Sequence, residues 1–174
     1  SKRIASPGCY STGANVILKP LISSGILSKN IPIIINAVSV YSGGGKSMIS
    51  YFKEKDHEPF FNYGLNLNHK HLPEIIYHNN LALTPIFSPS VGNFIQGMIV
   101  SIPLHFSWFN NRVDTEKIQL LMEEFYSGAN FIKVLKRDEG VSNKGYFRPD
   151  NLVGTNCLDI SIFGNDNNDQ LIIC

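Results

Sequence analysis

Apolar residues recur at Ala14, Ile17, Leu18, Leu21 and Ile22, the spacing of one face of a helix, directly after the turn Pro7-Gly8-Cys9. Ser23-Ser24-Gly25 closes this pattern, and Pro20 inside it predicts a kink or an early stop, because proline lacks the N–H that a helix interior needs. Residues 31–40 are β-branched and almost continuously apolar, which predicts a strand covered on both faces. The pattern then predicts a short helix over 46–53, an aromatic and Asn-rich loop over 56–68, and a second short helix over 71–78 with Pro73 in its first turn. Strand patterns follow at 83–87 and 94–106. Asp114 is placed to cap a helix over 115–126, where Ile118, Leu121, Met122 and Phe125 share one face before Gly128 stops it. Further strands are predicted at 131–135, 157–163 and 171–174, the last two joined by a Gly/Asn/Asp turn. Several strands follow one another without a regular βαβ alternation, so the predicted class is α+β, a mixed β-sheet with flanking helices.

Composition narrows this picture. A chain of 174 residues, 43% hydrophobic, is long enough for one domain with a real core. Fifteen Lys+Arg against 14 Asp+Glu leave no basic footprint for nucleic acid or an anionic membrane surface. No apolar run approaches the roughly 18–20 residues of a membrane span, and no signal-peptide pattern opens the chain. Three cysteines, Cys9, Cys157 and Cys174, with no CxxC pair indicate neither a disulfide framework nor a zinc knuckle, so a cytoplasmic, reducing compartment is expected. Residue 1 is Ser and the last residues read as an unfinished strand, so a piece of a longer protein is expected.

Three stretches carry candidate chemistry. Cys9 lies at a helix start, where free N–H groups and the helix dipole favour the nucleophilic thiolate; the plainer reading is a small buried hydrophobe. Cys157 and Cys174 fall inside strand patterns and read as packing. Asn68-His69-Lys70-His71-Leu72-Pro73-Glu74 gathers two imidazoles, an ammonium and a carboxylate, suited to acid/base work beside a thiol. Metal binding by His69, His71 and Glu74 is the competing reading, without a fourth ligand or a metalloprotease signature; a solvated helix start is the plain one. Ser42-Gly43-Gly44-Gly45-Lys46 follows a strand and could cradle an anion with backbone N–H groups and the Lys46 charge. It is not a P-loop, because Val40 stands where that motif requires Gly; otherwise it is a flexible turn.

Taken together, Ser6-Pro7-Gly8-Cys9-Tyr10-Ser11-Thr12-Gly13, Ser42-Gly43-Gly44-Gly45-Lys46, Tyr63, His69-Lys70-His71-Leu72-Pro73-Glu74, Pro89-Ser90-Val91-Gly92-Asn93 and Gly154-Thr155-Asn156 resemble the bacterial N-acetyl-γ-glutamyl-phosphate reductase family, in order and in spacing. The resemblance implies that Cys9 attacks an acyl phosphate and that the resulting thioester is reduced with NADPH to N-acetylglutamate semialdehyde, in arginine biosynthesis. It also implies that His69, or His71 as second choice, is the acid/base. Ser42, Gly43, Gly44, Gly45, Lys46, Lys70 and Glu74 would then surround substrate and phosphate, with no metal. Lys46 and Lys70 stand where that family has Arg, which keeps the charge and loses the bidentate fork. The implied fold is that of the C-terminal domain of glyceraldehyde-3-phosphate dehydrogenase. Residues 1–174 would be a catalytic and dimerisation domain of a homodimer or homotetramer, with the NADP-binding N-terminal domain and a final helix outside the chain. An aspartate-semialdehyde dehydrogenase-like enzyme sharing the thioester chemistry, and a non-catalytic dimerisation module, are the alternatives.

Overall fold

The computed structural model describes residues 3–174. In chain order the elements are α1 (Cys9–Ser23), β1 (Ile34–Val40), a 3-10 turn (Tyr41–Gly44), α2 (Gly45–Tyr51), β2 (Phe60–Asn62), α3 (Leu72–Asn79), β3 (Ile86–Gly92), β4 (Met98–His105), α4 (Thr115–Phe125), β5 (Ile132–Val134), β6 (Leu158–Ile160), β7 (Ile162–Asn165) and β8 (Gln170–Ile173). Six strands make one sheet in the order β2-β3-β1-β4-β8-β7, and β5 and β6 form a separate parallel pair. Within the large sheet β1 and β3 run parallel, while the other paired neighbours are antiparallel. The predicted mixed sheet with flanking helices is therefore the observed class.

Helix α1 packs on the sheet through Ala14, Ile17, Leu18 and Leu21, all at most 2% exposed. Gly13 permits the close approach, since a Cβ there would lie 2.7 Å from Val100 of β4. The helix does not stop at Pro20. Proline leaves the carbonyl four residues back, Val16, without its helical donor, and the Tyr126 hydroxyl at the end of α4 donates to that carbonyl at 2.7 Å. A partner from another helix thus offsets what proline removes. Helix α3 lies against α1: Ile75 is fully buried, and Asn79 donates to Asn15 Oδ1 at 2.6 Å. Helix α4 starts where its cap requires, the Asp114 carboxylate accepting the Lys117 N–H at 2.8 Å.

Some sequence expectations are corrected. Strand β1 is not covered on both faces: Ile35, Ala37 and Ser39 are buried, whereas Asn36 is exposed and Ile34 and Val38 are half-buried. That second face continues through Ile99, Ser101 and Pro103 of β4, Ile172 of β8 and Phe163 of β7, and is mostly apolar and only half-buried. The predicted loop over 56–68 holds the three-residue strand β2. The predicted strand over 157–163 is two strands in different sheets, broken where Ser161 exchanges two backbone hydrogen bonds with Cys174 at 2.9 Å each. No helix among the described residues is long and apolar enough to cross a membrane.

Candidate active site

Cys9 is exposed and is the first residue of α1. Gly8 is the N-cap, extended at φ −67° and ψ 140°, and it offers no side chain to cap with. Its neighbours fill that space. His71, at the N-cap position of α3, lays its ring against Gly8, so that a Gly8 Cβ would meet His71 Cδ2 and Nε2 at 2.5 Å. Glu74, in the first turn of α3, accepts the Gly8 N–H at 3.1 Å and the Ser11 hydroxyl at 2.5 Å.

His69 stands one ring further in. It meets His71 edge-on at 4.8 Å between centroids, Phe87 at 4.9 Å, Tyr63 at 5.7 Å and Tyr10 at 6.0 Å. The His71 backbone N–H donates to His69 Nδ1 at 3.2 Å, which leaves the proton of the neutral ring on Nε2. Burial, then the charges of His71 and Lys70, hold His69 below its ordinary value; burial and Lys70 do the same to His71, with Glu74 pulling the other way. Both rings are therefore biased toward the neutral form. Burial raises Tyr63, and the Tyr10 hydroxyl and the Cys9 sulfur add to that rise. The Tyr10 hydroxyl is itself pinned 2.7 Å from Ser39 Oγ in β1.

The structure thus brings Cys9, His69, His71 and Glu74 into one corner. Lys70 is exposed and acts on the two rings through its charge. In the Gly-rich turn Gly43, Gly44, Gly45 and Lys46 are exposed, and Gly43 shares with Cys9 the lining of a cavity of about 470 Å³. Ser42 is tied down, donating to the Ile95 carbonyl at 2.6 Å. Sequence reasoning missed two things here. Cys157 is not packing: it is exposed and lines the same cavity. The turn Gly154-Thr155-Asn156 just before it was the available signal, since strand β6 starts only at Leu158. Ser11 stands out in the sequence only as part of a motif, and nothing in its pattern points to the bond with Glu74. Cys174 is half-buried, with Ser101 Oγ at 3.2 Å, and burial raises its thiol.

A thiol at the first position of a helix, with His71 packed over the N-cap glycine and His69 ring to ring with His71, can form and release a covalent acyl adduct. A family model described as "Semialdehyde dehydrogenase, dimerisation domain" matches residues 9–174, and the chain belongs to that family. Among curated relatives it is 40% identical over 181 residues to N-acetyl-gamma-glutamyl-phosphate reductase 2 of Nostoc sp., covering 98% of this chain and 56% of that protein. It is 36% identical over 176 residues to N-acetyl-gamma-glutamyl-phosphate reductase of Brucella ovis, with the same coverage. The chain therefore spans little more than half the length of these relatives. In fold it is similar to aspartate semialdehyde dehydrogenase II from Vibrio cholerae, with TM-score 0.67, 14% identity, and 98% and 56% of the two chains covered. The aspartate semialdehyde dehydrogenase from Francisella tularensis gives TM-score 0.63 at 10% identity, covering 94% and 57%. These likenesses agree with the fold expected from the sequence, the one shared with the C-terminal domain of glyceraldehyde-3-phosphate dehydrogenase.

Proposed function

We propose that this chain is the catalytic and dimerisation domain of a cytoplasmic, NADP-dependent N-acetyl-γ-glutamyl-phosphate reductase. One observation carries the reading: Cys9 and the His69–Glu74 stretch, 60 residues apart in sequence, close on the same glycine at the start of α1. The relatives' names supply the substrate.

In this reading Cys9 reacts as the thiolate: its sulfur bonds to the acyl carbon, the carbon–oxygen bond to phosphate breaks, and phosphate leaves with its electron pair. The exposed Gly43-Gly44-Gly45-Lys46 stretch is assigned to that phosphate, with the Lys46 ammonium as its charged donor, since the Gly45 N–H already donates to the Ser42 carbonyl. The neutral His69 ring, protonated on Nε2, is the donor to the carbonyl oxygen as charge develops there, and His71 is the second choice for that part. Bound NADPH would supply the hydride that reduces the thioester; the carbon–sulfur bond then breaks, the electron pair returns to the Cys9 sulfur and the semialdehyde departs. Among the described residues the Gly-rich turn after β1 leads into a helix of only seven residues, a poor seat for a dinucleotide. NADP is accordingly assigned mainly to an N-terminal domain outside these residues. The half-buried, mostly apolar face of the sheet is assigned to a second copy of the chain, in a homodimer or homotetramer, as the family's description suggests.

The test is turnover of the full-length protein with N-acetylglutamate semialdehyde, NADP and phosphate, followed by NADPH absorbance, against aspartate semialdehyde as competitor. Activity confined to the N-acetylated substrate and abolished in Cys9→Ser is expected. Unchanged activity in Cys9→Ser would sink the proposal.

A further inference from the structure

An N-cap residue ordinarily supplies, from its own side chain, the acceptor for the free N–H groups of its helix. Gly8 has no such atom, yet α1 is the helix that begins with Cys9. The acceptor comes from α3. Glu74 Oε2 takes the Gly8 N–H at 3.1 Å and the Ser11 hydroxyl at 2.5 Å, thereby holding both sides of Cys9 in the chain. His71 lies three residues earlier, and this spacing puts its ring and the Glu74 carboxylate on one side of the start of α3, where both close on Gly8. A carboxylate at this place is also favoured by the positive end of the α1 dipole. The Ser11 hydroxyl, then the Gly8 N–H, hold its carboxyl below the usual range, so the anchor is ionised at neutral pH.

These contacts conflict with a substrate-binding part for Glu74. An acyl phosphate brings its own negative charge, and a second anion beside it is repelled. One carboxylate oxygen, Oε2, is already engaged by two donors of the chain. We propose that Glu74 is a positioning residue, which locks the turn on either side of Cys9 and so fixes where the thiol is presented, without touching the substrate. This rests on the reading of Cys9 as nucleophile, and it assigns to α3 a second task beside carrying the histidine pair.

The experiment compares Glu74→Gln, Glu74→Ala and Ser11→Ala in the full-length protein, by two independent readouts. The first is kcat and KM in the semialdehyde assay; the second is the rate at which iodoacetamide alkylates Cys9, followed by mass spectrometry of its peptide. Glutamine keeps an acceptor oxygen and loses only the charge, so Glu74→Gln is expected within about threefold of wild type in both readouts. Glu74→Ala frees the turn and is expected to lower kcat about 10- to 100-fold with little change in KM, as misplacement of a reacting group does. Its Cys9 alkylation rate is expected to differ from wild type by more than about threefold, because the thiol no longer sits in one fixed environment at the helix start. Ser11→Ala, which keeps the Gly8 bond, is expected to fall between the two and decides the matter if Glu74→Ala does not fold.

Equal loss in Glu74→Gln and Glu74→Ala would overturn the proposal, since charge and not anchoring would then be the cause. A rise in KM with kcat unchanged would overturn it in favour of substrate binding. If wild type itself shows no turnover, the functional reading fails, and the alkylation rates still decide whether Glu74 positions Cys9: identical rates in all variants would refute it.

Discussion

The two ends of the candidate site are built in opposite ways. Around Cys9, Gly8 and Ser11 are gripped by Glu74, His71 fills the space over Gly8, and His69 is enclosed by Tyr10, Tyr63 and Phe87. The Gly-rich turn has none of this density: residues 43–46 are exposed and α2 buries no residue. It is fastened at its root, by Ser42 to the Ile95 carbonyl and by the stacking of Tyr41 on Phe52 at 4.9 Å. The difference follows from what each end handles. A bond-forming atom gains from being held in one geometry, whereas groups meant for an anion must stay reachable.

Gly8→Ala breaks this contrast most severely. The backbone at Gly8 is extended at negative φ, so alanine meets no conformational objection. The obstacle is the His71 ring at 2.5 Å and Ser11 Oγ at 2.7 Å from the new methyl. His71 must swing away, and it drags against Tyr10, whose ring centroid is 5.8 Å distant. A roughly hundredfold fall in kcat is expected, as for displacement of a reacting group by about 1 Å. The destabilisation expected from overpacking is about 1–3 kcal/mol, read from denaturant midpoints. Near-normal kcat in this variant would mean that the corner is softer than its packing implies.

How far this architecture was legible in the sequence differs from element to element. The span of α4 was readable because Asp114 is a local cap whose partner lies three residues on. The motifs around Cys9 and His69 were readable as chemistry, but their meeting at Gly8 depends on α3 packing along α1, a contact that no local pattern encodes. Pro20 misled because the donor that replaces its missing N–H, Tyr126, lies 110 residues from Val16 in the chain. Residues 31–40 misled differently: a half-buried apolar face reads like a buried one when its cover is not part of the same sheet. Cys157 and β2 were missed because strands of three residues, such as β2 and β6, are too short to set a period.

Lys46→Ala sharpens the comparison from the other side. The residue is exposed and outside the corner, so its loss is expected to leave the Cys9 alkylation rate as in wild type. Its proposed partner is the leaving phosphate, and loss of a charge-assisted hydrogen bond of about 1.5–3 kcal/mol raises KM for phosphate, in the semialdehyde-oxidising direction, about tenfold or more. A changed alkylation rate would show that the two ends are coupled.

Lys70→Gln has the smallest expected effect and tests the electrostatics of the enclosed rings. His69 and His71 lie below their ordinary value, first through burial, with the Lys70 charge also contributing to both. A group whose folded value is depressed contributes stability that is present above its unfolded value, near 6.5, and is lost as pH falls toward the folded value. Wild type should therefore lose stability as pH drops below about 6.5, before the Glu74 carboxylate, itself depressed, begins to titrate. Removing the Lys70 charge relieves part of the depression and leaves the burial, so both rings should titrate at slightly higher pH in an NMR titration. Because Lys70 is exposed and screened, the accompanying change in acid-side stability is expected to be only about 0.3 kcal/mol. A shift as large as that caused by opening the corner with Gly8→Ala would mean that charge, and not burial, keeps these rings neutral.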